Sequence, residues 1–313
     1  MPLPVCAMTR PAPWRPLVGQ KQVLEPGLVC VLAGNPSPFT GPGTNSYLIG
    51  ERDLVLIDPG PDDPVHRAAL LDAVPPGSAI AQIIVTHPHL DHSAGATAMA
   101  QATGAPVLAF GDAAAGRSPA MTALAARGGL AGGEGIDHGF RPDVVVPDGT
   151  VLPTAAGPLE ALWTPGHCAS HLCLAWNGVL FSGDLVLGWA PSLISPPDGE
   201  LSAYRASMAR LARRSDRRYY PGHGAPVADP AQRLADLMAH RHMREGLVVA
   251  ALTPDYATLA ELATRAYADT PPHMHPAATR NLLAHLIDLT DRGIAEPDRP
   301  LAATALFRLA NRR

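Results

Sequence analysis

The chain has 313 residues, 47% of them apolar and 17% charged, with a formal net charge of −4 and a pI near 6.3. That much apolar surface excludes a disordered chain, and the near balance of charge excludes the strongly basic footprint of a dedicated nucleic-acid binder. The length exceeds one typical domain, so a large domain with a smaller companion is expected.

In chain order, the first residues carry Arg10, Arg15 and scattered prolines but no apolar h-region, so no secretory signal is expected and the cytoplasm is the expected compartment. Strand-like apolar runs follow at 28–33, 46–49, 54–57 and 81–85, then at 144–146, 159–163, 172–176 and 179–182, most of them bounded by Gly, Pro, Asp or Asn. Helical patterning is expected over 64–74, 94–103, 201–214 and 229–249. Strands that arrive in succession and then alternate with helices suit sheets covered by outer helices. The stretch 111–140 reads as a helical excursion ending in a glycine-rich loop, which either flanks a site mouth or is a plain surface insertion. From about 240 come helices at 256–267 and 276–291, a stop at Arg292-Gly293 and two short β-like pieces, around 293–296 and 303–308. That is the order of a winged-helix module. No run approaches the ~20 apolar residues of a spanning helix, and Cys6, Cys30, Cys168 and Cys173 form no Cys-x-x-Cys pair or disulfide framework.

The chemistry concentrates at 81–92, AQIIVTHPHLDH, where a strand ends at Thr86 and His87, His89, Asp91 and His92 follow within six positions. So many polar heads are hard to desolvate together without a counter-charge, and a divalent ion with N and O ligands supplies one. The i, i+2 spacing points His87 and His89 to one side of an extended segment, while Asp91 and His92, past the turn, can address a second ion. His167 in TPGHCASH, Asp184 in FSGD and His223 in PGHG sit at strand ends or in glycine-bearing turns, where backbone can approach a metal.

With THPHLDH, TPGH, SGD and PGHG, and LIDPGP at 56–61, the chain resembles the metallo-β-lactamase superfamily over nearly all of 28–225. The resemblance implies an αββα sandwich, of mixed α+β and α/β class, over 1–235, followed by a winged-helix domain over 236–313. It implies two divalent ions, with zinc expected and manganese or iron as alternatives, since N/O ligands do not fix the metal. His87, His89 and His167 would hold one ion and Asp91, His92 and His223 the other, with Asp184 bridging and Asp58 bracing the ligand loop. A bridging hydroxide oriented by Asp91 would be the nucleophile. His171 matches a histidine that hydrolytic branches keep, and is expected either to act on a substrate oxygen or ligand carboxylate or to be structural. Thr44 and Asn45 either reach the site mouth or only make turn hydrogen bonds. Cys168 is expected to be a packing residue. His66, His138, His240, His242, His273, His275 and His285 fit no ligand position and are expected at the surface or in loops.

The C-terminal series HRHMREGLVVAAL, TLAELATRAYAD, HPAATRNLLAHLIDL and ALFRLA resembles the winged-helix tail of the β-lactamase-like endoribonuclease family rather than the helical domain of glyoxalase II. Within that resemblance, one branch cleaves single-stranded RNA and fungal relatives hydrolyse acyl-carrier thioesters. Arg210, Arg213, Arg214, Arg217 and Arg218 would either bind RNA phosphates or form a solvated helix face. Scarce aromatics argue against a base-stacking platform. The expected function is therefore binuclear metal-dependent hydrolysis, of RNA first and of thioesters or small acyl esters as the alternative. A non-catalytic winged-helix regulator conflicts with the intact ligand set. The expected partners are RNA or a small acyl substrate and a second copy in a homodimer, with no membrane, and the winged module is expected to pack on the site or a partner subunit.

Overall fold

The computed structural model describes residues 16–128 and 135–311. Its apolar runs pair into two sheets. The first runs in chain order through β1 (Lys21–Glu25), β2 (Leu28–Leu32), β3 (Asn45–Ile49), β4 (Asp53–Ile57), β5 (Ala79–Ile84), β6 (Val107–Ala109) and β7 (Val144–Val145). Pairing is antiparallel up to β4 and parallel beyond it. The second contains β8 (Val151–Leu152), β9 (Leu159–Trp163), β10 (Leu172–Trp176), β11 (Val179–Gly183) and β12 (Arg218–Pro221) in the order β12-β11-β10-β9-β8. Only β11 and β12 pair in parallel there. The connections carry α1 (Pro64–Ala73), α2 (Leu90–Ser93), α3 (Ala96–Thr103), α4 (Pro119–Arg127) and α5 (Leu201–Leu211). The chain closes with α6 (Pro230–Ala251), α7 (Leu259–Ala266) and α8 (His275–Asp291), then a two-stranded wing, β13 (Ala295–Pro297) and β14 (Phe307–Leu309).

The inner strands, such as β3, β10 and β11, are buried along their whole length because both faces of each sheet are covered there. Between the sheets pack Leu28, Cys30, Tyr47, Phe181 and Tyr220. On the outer face of the first sheet Val31, Leu48 and Leu56 meet Leu70 of α1 and Met99 of α3. On that of the second, Leu180 and Tyr219 meet Tyr204 and Met208 of α5 and Leu234 and Leu237 of α6. Each such side chain, fully buried, contributes about 1.5–3 kcal/mol. The result is the expected αββα sandwich.

Helix 201–214 of the sequence reading stops at Leu211, and β12 begins at Arg218. Tyr219 and Tyr220 point to opposite cores, the alternation of a strand. The excursion 111–140 is not a bare surface insertion. Met121 and Leu124 of α4 are buried in the C-terminal core, Arg117 pairs with Asp198 at 2.5 Å, and Ile136 bridges to His89. The glycine-rich stretch 129–134 lies outside the described residues, as does Cys6. Cys30, Cys168 and Cys173 are buried and unpaired, and burial pushes the Cys168 thiol up to about 11, as suits a packing residue.

The expected division between 235 and 236 falls inside α6. This helix packs Leu234 and Leu237 under the second sheet and Val248 and Ala251 into the C-terminal core with Leu262, Leu286 and Phe307. Two histidines expected at the surface are buried. His66 is 2% exposed and bonds Ser46 Oγ at 2.9 Å. His285, on α8, is 1% exposed because that helix lies between the two cores. No described helix is long and apolar enough to cross a membrane.

Candidate metal centre

The strands end at one edge. Asp58 follows β4, Thr86 and His87 follow β5, His167 follows β9, Asp184 follows β11 and His223 follows β12. β9, β11 and β12 run in the same direction, because β10 is antiparallel to both neighbours and β12 parallel to β11. A strand end releases backbone and side chains from the ladder, so residues distant in sequence converge there.

Two groups of side chains meet at that edge. His87, His89, His167 and Asp184 form one, and Asp91, His92 and His223 the other, with the ligand-type atoms of each within 4.8 Å of one another. The Asp184 carboxylate lies between them. Its Oδ2 is 3.7 Å from His167 Nε2, 4.0 Å from His87 Nε2 and 3.2 Å from His223 Nε2, and its Oδ1 is 3.6 Å from His92 Nε2. All seven sequence-predicted ligand residues are thus brought together.

The outer ring nitrogens set the direction of the inner ones. His87 Nδ1 lies 3.0 Å from Thr86 Oγ1, whose hydroxyl proton goes to Asp58 Oδ2 at 2.8 Å. His92 Nδ1 donates to Asp58 Oδ2 at 2.9 Å, His167 Nδ1 to the Leu193 carbonyl at 2.7 Å, and His223 Nδ1 to the Gly43 carbonyl at 3.1 Å. Acceptors outside assign a proton to Nδ1 and aim Nε2 inward, the orientation of a metal-binding histidine. Asp58 does this from a left-handed backbone, φ 53°, and also accepts from the Thr86 amide at 2.7 Å.

Inside, ring nitrogens face each other. His89 Nδ1 is 2.9 Å from His87 Nε2 and 3.0 Å from His167 Nε2, and His92 Nε2 is 3.3 Å from His223 Nε2. Burial, with the neighbouring imidazoles, drives His87 well down and His89 to about 3, so these rings are neutral at pH 7. Burial opposes charge on His223 too, yet Asp184 and Asp91 hold it up at about 9. Burial would likewise raise the two carboxyls, but His92 and His223 keep both below the usual carboxylate range. Asp184 Oδ1 is buried with no hydrogen-bond partner among the described residues. Converging ring nitrogens, two carboxylates and an orphaned oxygen are a donor set that fits divalent cations. Room for them depends on Gly222, where a Cβ would stand 2.4 Å from Asp184 Oδ1.

His171 is placed differently from a residue acting on substrate. It is fully buried, with Nδ1 3.0 Å from Thr164 Oγ1 and Nε2 accepting from the Asp184 amide at 3.2 Å. It braces the backbone of Asp184 from behind and is corrected from a catalytic to a positioning residue. Burial, with His167 next, keeps it neutral. Thr44 and Asn45 do reach the site. Thr44 Oγ1 donates to Asp91 Oδ2 at 3.0 Å while accepting from Asn35 Nδ2 at 2.9 Å, and Asn45 Nδ2 clasps the Pro221 and Gly224 carbonyls beside His223. Asn35 and the Leu193 carbonyl were not foreseen. Asn35 carries the signal used for Asp58, a polar residue just past a strand end, but no side-chain pattern marks a carbonyl.

Over the two groups lies a cavity of about 430 Å³. His89, Asp91, His167, Asp184 and His223 face it on one side, and Phe39, Ile136, Trp189, Leu193, Met274 and Ala277 form apolar walls. The last two belong to the C-terminal module. The arginine run 210–218 is not in this lining. Arg210 pairs with Asp148 at 2.8 Å, Arg214 with Asp216 and Glu160 at 2.7 and 3.1 Å, and Arg217 with Glu25. Arg217 and Arg218 stand at the start of β12, whereas His223 follows its end, across a four-residue strand of ~13 Å.

The fold and the site define a class of proteins, sandwich hydrolases with a histidine and aspartate metal centre at the sheet edge. Residues 39–223 match the Metallo-beta-lactamase superfamily and residues 258–299 match the Beta-lactamase associated winged helix domain, and the chain belongs to this superfamily, whose members are generally hydrolases. It is 27% identical over 279 residues to Beta-lactamase-like protein 2 homolog of Caenorhabditis elegans, covering 87% of each chain. To an Atrochrysone carboxyl ACP thioesterase of Aspergillus chevalieri it is 30% identical over 235 residues, 74% of this chain and 67% of that one. A metallo-beta-lactamase family protein of Thermus thermophilus has the same fold, with a TM-score of 0.74 at 24% identity, over 92% of this chain and all of that one.

Proposed function

We propose that this protein is a metal-dependent hydrolase of thioesters, or of similarly activated small acyl esters. The observation that carries the reading is the cavity, of a size that holds a small molecule and walled mainly by apolar side chains around one polar face. The similarity to an acyl-carrier thioesterase supports it. His87, His89 and His167 would hold one ion, Asp91, His92 and His223 the other, and Asp184 would span both, with zinc the metal that fits a nitrogen-rich set and manganese or iron as alternatives. When bound, the ions supply Lewis acidity for the acyl carbonyl and lower the pKa of the attacking water. Asp91, with 27% of its side chain exposed, orients that water while Thr44 holds its Oδ2. Phe39 and Trp189 at the mouth shed water around the acyl group, and His171 keeps the Asp184 backbone in place.

The ribonuclease alternative drew on the arginine run, which lies outside the cavity lining and of which Arg210, Arg214 and Arg217 are paired with carboxylates. The test offers acyl thioesters of N-acetylcysteamine and an unstructured RNA to the zinc- or manganese-loaded protein and to Asp184→Ala. Thiol release by the wild type, reduced more than about a hundredfold in the variant (beyond what losing an outer-shell partner alone costs), is expected, with the RNA intact. RNA cleavage that depends on Asp184, without thiol release, would overturn the reading.

A further inference from the structure

The segment between β11 and α5, residues 184–200, contains neither helix nor strand, so its backbone groups need partners from elsewhere. Side chains of α6 and α8 supply several of them. Arg233 of α6, 8% exposed, donates to the Leu187 and Ala190 carbonyls at 2.7 and 2.9 Å. Arg241 of the same helix, 3% exposed and stacked over Tyr204 at 5.1 Å, donates to the Ser192 carbonyl. Asn281 of α8 then takes the Ile194 amide at 3.1 Å, and the same Asn281 atom receives Arg241 Nη1 at 3.1 Å. An atom met by two donors must be the carboxamide oxygen.

The Ile194 amide and the Leu193 carbonyl belong to one peptide group, and that carbonyl accepts from His167 Nδ1 at 2.7 Å. A trans peptide group is planar and stiff, with its N–H and C=O pointing opposite ways. Holding the N–H therefore aims the carbonyl, and a donor at one end polarises the acceptor at the other. Arg241, Asn281, the 193–194 peptide and His167 form one chain of hydrogen bonds that ends on a metal-type nitrogen. The other inward-facing rings are braced differently. His87, His92 and His223 take their outer partners from Thr86, Asp58 and Gly43, all of the first sheet and its loops.

We propose that Asn281, backed by Arg241, is a positioning residue for His167. The C-terminal module thereby governs the ion held by His87, His89 and His167, while the ion of Asp91, His92 and His223 depends on the sandwich alone. The inference rests on the ligand assignment proposed above and is independent of the substrate.

Zinc titration of the metal-free, full-length protein against a chromophoric chelator reads the two binding events, and His167→Ala identifies the event that belongs to its site. Asn281→Leu should weaken that same event by about 10–100-fold, the usual effect of losing support behind a ligand histidine, and leave the other unchanged. Asn281→Asp keeps an oxygen for both donors and should restore the affinity. If Asn281→Leu fails to fold, judged by circular dichroism of the metal-free protein, Asn281→Ser replaces it, polar but too short to reach the Ile194 amide. A merely structural role predicts that both events weaken together, or that the melting temperature falls with neither event changed, and either result overturns the proposal. So does an Asn281→Asp protein that binds zinc no better than Asn281→Leu. If His167→Ala alters neither event, the ligand assignment itself falls and takes this inference with it, whereas thioester cleavage, assayed separately, leaves the inference untouched.

Discussion

Asp58 shows how much one side chain can organise. Its carboxylate takes the Thr86 amide, the Thr86 hydroxyl and His92 Nδ1, so a single residue orients two of the inward-facing imidazoles. Asp58→Asn keeps a side chain tolerant of the left-handed backbone but loses the charge that steers His92. Zinc affinity is expected to fall about 10–100-fold, measured by competition with a chelator; unchanged affinity would mean the brace is dispensable. His285 makes the opposite case. It is buried, neither ring nitrogen has a hydrogen-bond partner among the described residues, and burial, with Arg241 and Arg205 next, pushes it down to about 3. Its unfolded pKa is near 6.5, so the neutral ring contributes fully above pH 6.5. Below that the unfolded chain takes up the proton first, and stability falls toward pH 3 by about 1.4 kcal/mol per pH unit. His285→Leu should therefore match or exceed the wild type at pH 7 and lose less stability at pH 4.5 in urea titrations. A large loss at pH 7 would show that the ring is held by more than packing.

At the scale of elements, α8 decides most. In a winged helix used on DNA, the second helix of the helix-turn-helix pair enters the major groove. Here ten of the seventeen residues of that helix are buried, and Ala277, Arg280 and Asn281 line the cavity. Its C-terminal end is fastened instead by an ion-pair network: Asp288 lies 3.4 Å from Arg205 and 2.9 Å from Arg292, while Glu245 of α6 bonds Arg205 and lies 2.9 Å from Arg292. The acids and arginines alternate, so removing one acid leaves like charges adjacent. Glu245→Gln is expected to cost about 1–3 kcal/mol, read from denaturant midpoints at low salt, with a smaller loss at high salt. A salt-independent loss would point to packing rather than charge.

Over the whole molecule, the C-terminal module and the sandwich share side chains in both directions. α4, inserted between β6 and β7, buries Met121 and Leu124 in the C-terminal core, and Ala284 of α8 enters the core beneath the second sheet. Arg127 donates to the Leu301 carbonyl across the same contact. The full chain is expected to melt in one calorimetric transition. A chain ending at residue 251 is expected to lose cooperative melting and to aggregate through the uncovered face of α4. Two separated transitions in the full chain would show that the modules fold independently.

The seven residues that meet at the sheet edge were legible as a group in the sequence because ligand-type chemistry is local: His and Asp just past apolar strands are hard to desolvate together without a counter-ion, and the short motifs carry that spacing. The longer strands and helices were legible for a similar reason, since their periodicity is written residue by residue. Of the strands missed, β6, β8 and β12 are short, and β1, Lys-Gln-Val-Leu-Glu at the sheet edge, lacks the apolar run of a buried strand. What a side chain meets across the fold could only come from tertiary structure. Arg217 and Arg218 looked close to the site along the chain, but β12 stands between them and His223, and Arg210, Arg214 and Arg217 are paired with carboxylates. His171 has the residue type of a catalyst and the position of a brace, and His66 and His285 are buried by elements far away in sequence. The cavity itself, assembled from β-strand ends, the loop around Trp189 and a helix about fifty residues beyond His223, exists in no single segment. Sequence alone therefore determined which chemistry the chain carries, because ligands act through their own atoms. Tertiary structure decided what that chemistry is presented to, because a cavity is made by surfaces that meet only on folding.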